Sequence, residues 1–309
     1  EKTKSGVLAH PKMINPDLII NKKTWSRLIR SWKNNKLSHA LLFHGPDGSG
    51  KEGHAVELAA LLNCTALRDE EPCGSCPSCK KTKSFQHGSV KLILPLPRGK
   101  IKSSDDPVTN AFSESVLKEY LDMLKEKEAD PYYSIRVPGA NTILINSIRE
   151  LKHDMSLSTV NNEWRVILIF QAEKLCIPSP EASHALLKVL EEPPDRTLFI
   201  LVSSQPRAIL DTIHSRCQSI YFPPIDTKIL QEQLQKSGVD PVDALVMARI
   251  SGGNVQLSRE LKHNSTDLME KLYILLNACF SSDPSIWNKC IDTISRLKIK
   301  DISQMEQLF

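Results

Sequence analysis

The sequence predicts an α/β fold: a parallel sheet built around a phosphate-binding loop, followed by a helical region. Three observations carry this. The apolar run Ala40 to Phe43 leads into Gly45, Gly48, Gly50 and Lys51, which reads as strand, glycine loop and helix start. Uninterrupted apolar runs at 164–170 and 198–202 have the composition of strands covered on both sheet faces. Strand and helix patterns alternate as far as Pro224, and beyond it every periodic segment is helical.

The loop is the element around which the chain is organised. Glycines let successive N–H groups turn toward one anion, the next helix adds its positive end, and Lys51 supplies a point charge for the outer phosphates of ATP or ADP. Gly45, Gly48, Ser49, Gly50 and Lys51 are therefore the candidate cofactor-binding residues. The pattern G-x-x-x-x-G-K-[ST] asks for a hydroxyl after the lysine to hold Mg²⁺, and here that position is Glu52. A glycine turn that binds nothing is the plainer alternative.

Before the loop, Trp25, Leu28, Ile29 and Trp32 fall on one helical face, with Thr24 placed to cap it. After the loop, residues 55–62 continue as a helix into Cys64. Then come Cys64, Cys73, Cys76 and Cys79, spaced C-x8-C-x2-C-x2-C. Four thiolates at this spacing close a tetrahedral shell around Zn²⁺, as in a structural site. The core spacing also suits an iron–sulfur cluster, but lysines stand after Cys79 where a further cysteine with proline is expected. Cys176, Cys217, Cys279 and Cys290 are scattered, as free thiols are.

Residues 90–94 read as a strand. From about 95 to 140 the character changes, and the segment reads as an insertion: a surface loop rich in Pro, Lys, Ser and Asp, then a helix over 113–127 with Val116, Leu117, Tyr120, Leu121 and Leu124 on its packing face. A short strand at 142–145, a helix at 147–155, the strand at 164–170 and a helix at 180–192 follow. Pro193 and Pro194 stop that helix. A strand at 198–202, a short helix at 209–213 and a strand at 219–222 complete the first domain, 1–224. Short helices at 230–236, 242–250 and 255–261 form a second, 225–264, and helices at 268–280 and 287–297 begin a third, 265–309.

At 309 residues the chain has room for these domains, and 40% hydrophobic with 25% charged residues is an ordinary globular composition. A net charge of +4 is too small over this length to announce nucleic-acid binding by itself. No apolar run approaches the roughly 20 residues of a membrane helix and no signal-peptide core is seen, so no membrane association and a cytoplasmic location are expected.

Four motifs together resemble the AAA+ clamp-loader subunits of bacterial DNA polymerase III: HALLFHGPDGSGK at 39–51, the four cysteines, HALLKVLEEPP at 184–194 and TIHSRCQ at 212–218. The resemblance implies an AAA+ P-loop domain with a zinc module, a small helical lid and the start of an oligomerisation domain, short beside the family's. It implies as partners the gamma/tau motor subunits, the delta subunit, the sliding clamp and primed DNA. Departures point to the non-hydrolysing, delta-prime type. Motor subunits carry acids where this chain has Phe170 and Gln171, a hydroxyl where it has Glu52, and an arginine where it has Gln256. Arg216 is retained, which in this family reaches a neighbour's ATP as an arginine finger, and Arg149 is by resemblance a candidate DNA contact. The alternative is an active gamma/tau-type ATPase. Glu191, Glu192, Asp105 and Asp106 read as solvated charges, and His184 and His214 have no nucleophile or metal pattern beside them.

Overall fold

The computed structural model describes residues 13–156 and 163–263, with Ser285, Trp287 and Ile291. Its strands are β1 (Ala40–His44), β2 (Val90–Ile93), β3 (Arg165–Phe170), β4 (Thr197–Ser203) and β5 (Gln218–Tyr221). They form one parallel sheet in the order β2-β3-β4-β1-β5. The helices of the same unit are α1 (Lys22–Lys33), α2 (Lys51–Asn63), α3 (Pro77–Lys83), α4 (Glu114–Ala129), α5 (Ile145–Ser156), α6 (Glu181–Glu191) and α7 (Asp211–His214). Side chains alternate across a strand, so β3 sends Val166, Leu168 and Phe170 to one face and Ile167 and Ile169 to the other. The first face packs on α1, α2 and the cysteine segment. The second packs on α5, α6 and α7.

The chain divides into two compact units, Glu1–Pro223 and Pro224–Phe309. In the second, α8 (Thr227–Lys236), α9 (Pro241–Ile250) and α10 (Val255–His263) pack on one another. Asp226 and Asp240 cap α8 and α9, and Pro241 pre-sets the first turn of α9. The helices expected at 268–280 and 287–297, with Cys279 and Cys290, lie outside the described residues apart from Trp287 and Ile291.

Four expectations are corrected. Asn21, not Thr24, caps α1: its Oδ1 accepts the Thr24 N–H at 3.1 Å, because the helix starts a turn earlier than its apolar face. No strand forms at 142–145. Thr142 makes a single bridge to Leu96, and Ile145 already begins α5. The segment 95–140 is not merely a surface loop, since Leu94, Leu96, Ile101, Ala111, Ile135, Val137 and Leu144 make a small core of their own. Against it α4 lays Val116, Tyr120, Met123 and Leu124, while Leu117 and Leu121 stay exposed.

Helix α2 is buried at every residue but Glu52. Four of its buried side chains are polar, Lys51, His54, Glu57 and Asn63, and two of them fix the chain before and at the start of α1. Glu57 accepts the N–H groups of Asn15 at 2.7 Å and Ile14 at 3.2 Å, pinning the segment before α1. His54 accepts the Asn21 N–H at Nε2 (3.1 Å), so its Nδ1–H donates to Gly50 O (2.8 Å). Burial raises the Glu57 carboxyl from 4.5 to about 8 against the opposing pull of those amides, and lowers His54 from 6.5 to about 4. The folded state therefore holds the Glu57 proton longer than the unfolded chain does. Stability from this group is full below pH 4.5 and is lost as pH rises through about 8; that from His54 is lost as pH falls from 6.5 toward about 4. Glu57→Gln is expected to lower stability throughout, since its amide NH₂ faces one of the two N–H donors. It should also abolish the part of the decline between about pH 6.5 and 8 that Glu57 causes, measured as urea midpoints of both proteins across that range.

Candidate functional site

The phosphate loop leaves the carboxyl end of β1, a strand with neighbours on both sides, where parallel sheets offer a crevice. Gly45 has φ +148°, and a Cβ there would lie 2.0 Å from Phe222 O, so only glycine fits against the chain leaving β5. Gly50 caps α2 in the left-handed region at φ +81°. The Lys51 ammonium donates to Gly45 O at 2.8 Å and Pro46 O at 2.6 Å, and the Ser49 hydroxyl donates to Pro46 O at 2.8 Å. Lys51 is buried, and desolvation lowers its pKa while Asp47, Glu52 and Glu173 oppose the shift. The five predicted loop residues thus form one turn at the start of α2.

The side chains around this turn are engaged with partners within the chain. Glu52 pairs with Lys127 of α4, whose ammonium also donates to Pro131 O (2.9 Å) and Tyr133 O (2.6 Å) and sits 5.7 Å from the centre of the Phe170 ring. Phe170 is sealed in the core, where truncating such a ring costs about 3–5 kcal/mol, so this position serves packing. Gln171 adopts φ 53° and its Nε2 donates to Ile135 O at 2.8 Å, which ties it to the insertion. Two further polar residues lie beyond it: buried Glu173 accepts the Ser203 hydroxyl at 2.6 Å, and Ser203 Oγ accepts the Gln205 N–H at 3.0 Å.

Sequence reasoning missed Lys127, Glu173 and Ser203. One signal was available for Lys127: it falls three residues after Leu124 and seven after Tyr120, on the packing face of α4, where a lysine needs a partner. Tyr132 was also missed; its hydroxyl accepts the Ile19 N–H at 2.9 Å and its ring lies beside Gly50.

The cysteine cluster forms as expected. The Sγ atoms of Cys64, Cys73, Cys76 and Cys79 all lie within 4.8 Å of one another. A tetrahedral Zn²⁺ with Zn–S of about 2.3 Å sets them about 3.8 Å apart, so the donor set fits with small adjustment. Cys76 caps α3, and backbone N–H groups reach three of the sulfurs: Cys73 N–H to Cys64 Sγ (3.3 Å), Cys76 N–H to Cys73 Sγ (3.2 Å) and Cys79 N–H to Cys76 Sγ (3.4 Å). The amides of Ser75 and Cys76 hold the Cys73 thiol down at about 6.

Arg216 follows α7 and is partly exposed. Its guanidinium donates to Glu191 Oε1 at 2.7 Å and Thr212 O at 3.0 Å, so Glu191 is a partner rather than a solvated charge. Burial raises the neighbouring Cys217 thiol to about 12. Arg149, exposed near the start of α5, donates to Asp105 at 2.7 Å and to Ser104, while Asp106 accepts the N–H groups of Lys102 and Ser103. Neither aspartate is a free surface charge. Gln256 bonds Glu260 along α10 at 3.2 Å. Among the described residues no helix is long and apolar enough to cross a membrane.

A five-stranded parallel sheet in this order, with a phosphate loop after its β1, defines a P-loop protein of the AAA+ class. Within it, a family model described as "DNA polymerase III, delta subunit" matches residues 20–226, and the chain belongs to that family. The DNA polymerase III subunit delta' of Bacillus subtilis is 29% identical over 237 residues, covering 77% of this chain and 57% of its own. That of Escherichia coli is 24% identical over 231 residues, covering 74% and 56%. The tau subunit of B. subtilis is 28% identical over 201 residues, covering 65% and 27%. The chain thus spans little more than half the length of the delta' relatives. A solved structure of a point mutant of Thermotoga maritima RuvB aligns with 91% of this chain and 69% of its own, at a TM-score of 0.39 and 14% identity.

The cluster generates a direct expectation. Protein purified without chelator should carry one Zn²⁺ per chain by elemental analysis, and none after all four cysteines are changed to Ser. Zn²⁺ needs all four sulfurs as thiolates, so affinity should fall as pH falls, and chelation should loosen residues 64–83 without unfolding the sheet.

Proposed function

We propose that this chain is a non-hydrolysing, delta-prime-type subunit of the DNA polymerase III clamp loader. It would help motor subunits of the gamma/tau type, with delta, to place a sliding clamp on primed DNA. In this reading 1–224 is the AAA+ domain, 225–264 its helical lid, and 265–309 the start of the oligomerisation region. Zinc at the four cysteines orders the module after α2. The loop from Gly45 to Lys51 remains an anion cradle for ATP or ADP without hydrolysing it.

The observation that carries the proposal lies at the end of β3. Hydrolysis needs a carboxylate there to activate water and another to position the metal. Phe170 has no such group and is sealed in the core, and Gln171 spends its amide on Ile135 O. The gamma/tau reading has one residue in its favour, the buried Glu173. Its carboxylate already accepts the Ser203 hydroxyl and lies past the strand end.

Arg216 completes the reading. In an assembly its guanidinium would exchange Glu191 for the γ-phosphate of ATP on the adjacent motor subunit. Exposed ion pairs of this kind are worth about 0–1 kcal/mol, so releasing Glu191 costs little. Arginine fingers contribute on the order of 10³ to 10⁵ in rate, about 4 to 7 kcal/mol of barrier.

Two outcomes are expected. The isolated chain should show no Mg²⁺-dependent ATP turnover, and turnover abolished by Lys51→Ala would overturn the proposal. In complexes reconstituted with motor subunits, Arg216→Ala and Arg216→Lys should both assemble normally by sizing yet lower clamp- and DNA-stimulated hydrolysis, because lysine lacks the planar fork. Full activity of both variants would leave Arg216 a structural residue.

A further inference from the structure

A divalent cation in a P-loop is held by a hydroxyl after the lysine and, through water, by an acid at the end of the third strand. Here those positions are Glu52 and Phe170, and between them lies the Lys127 ammonium. Its side chain is 2% exposed, paired with Glu52, and 5.7 Å from the Phe170 ring centre. Its three protons match three acceptors: Glu52, Pro131 O and Tyr133 O. Mg²⁺ demands six oxygens in near-octahedral order at about 2.0–2.1 Å. In its place are an apolar ring and a carboxylate already committed to a fixed cation. The residues present therefore do not fit Mg²⁺.

We propose that Lys127 is a tethered replacement for the divalent cation, so that the phosphate loop takes a metal-free polyphosphate: the phosphate tail of a nucleoside di- or triphosphate, or pyrophosphate. The inference rests on the reading of Gly45 to Lys51 as an anion cradle. Lys127 cancels the charge of Glu52, which would otherwise repel phosphate from the start of α2. Lys51 is left as the free charge of the turn, and its present acceptors, two loop carbonyls, are ones that a phosphate oxygen replaces. A metal-bound nucleotide carries less negative charge and brings a second cation against an ammonium that cannot leave without stranding a buried charge. The cation comes from the insertion, so the insertion is part of the site.

The test is calorimetric titration of the full chain with ADP, ATP and pyrophosphate, each in EDTA and in excess Mg²⁺. Binding that is as tight in EDTA, or tighter, is expected. Lys127→Met exposes Glu52 to the phosphates and should weaken metal-free binding about tenfold or more. The double variant Lys127→Met with Glu52→Thr removes the buried charges together and restores the hydroxyl, so it guards against a folding defect of the single variant. Its ATP affinity should rise with Mg²⁺. Zinc content and thermal unfolding report whether each variant is folded. If the unmodified chain binds ATP more tightly with Mg²⁺, or if the double variant stays indifferent to Mg²⁺, the tethered-cation proposal fails while the cradle stands. If none of the three ligands binds the unmodified chain in either condition, the cradle reading itself fails and the proposal with it.

Discussion

Helix α2 has no solvent face, and the arrangement of the first unit follows from covering it. The sheet covers one side, with Leu41, Phe43 and Val202 against Ala55, Leu58 and Ala59 in one cluster. The cysteine segment and α1 join that cluster through Cys73, Cys79, Trp25 and Leu28. The segment before α1 is held by Glu57, and the insertion supplies Pro131 beside Gly53 and Lys127 on Glu52. A helix enclosed in this way cannot be read from amphipathicity, because it has none to show. Its polar residues become the informative ones, since each buried polar group must find a partner and so reports a neighbour.

The same point divides what was legible in the sequence from what was not. The strands were legible because continuous apolar runs leave few other options, and the cysteine cluster because its spacing already fits a tetrahedral ion. The loop was legible from its glycines. The partners of its charged residues were not: Lys127 and Glu52 are 75 positions apart, Asp105 and Arg149 are 44 apart, and Arg216 and Glu191 are 25 apart. Such pairings depend on how the elements pack, and charge alone does not encode them. The composition of 95–107 suggested a surface loop, yet Leu96 and Ile101 sit in a core closed by Ile135 and Val137. Local polarity was overruled there by contacts with residues far along the chain.

These pairings change the meaning of several residues. Glu191 is the partner of Arg216, its carboxylate accepting from the guanidinium near the C-terminal end of α6. Asp105 and Ser104 hold Arg149, while Asn146 on the same helix anchors the loop through Ser103 O at 2.9 Å and Asp106 O at 2.8 Å. The segment 95–140 thus reaches several places on the unit, among them the phosphate loop through α4, the start of α5 through 103–106, Gln171 through Ile135 and the chain before α1 through Tyr132. Side chains with separate roles in the resemblance are joined here by one segment of chain.

The fit at Gly45 has a mechanical corollary. Phe222 O lies where a Gly45 side chain would be, and the Phe222 N–H donates to His44 O at 2.8 Å. Phe222 is the residue after β5, and Arg216 stands two residues before that strand. Arg216 is therefore joined to the turn that holds Lys51 by a short stretch of backbone, residues 216–222. That stretch is paired along its strand with β1. A shift of Arg216 would thus reach the turn that holds Lys51 as a displacement of backbone, not merely as a change of charge.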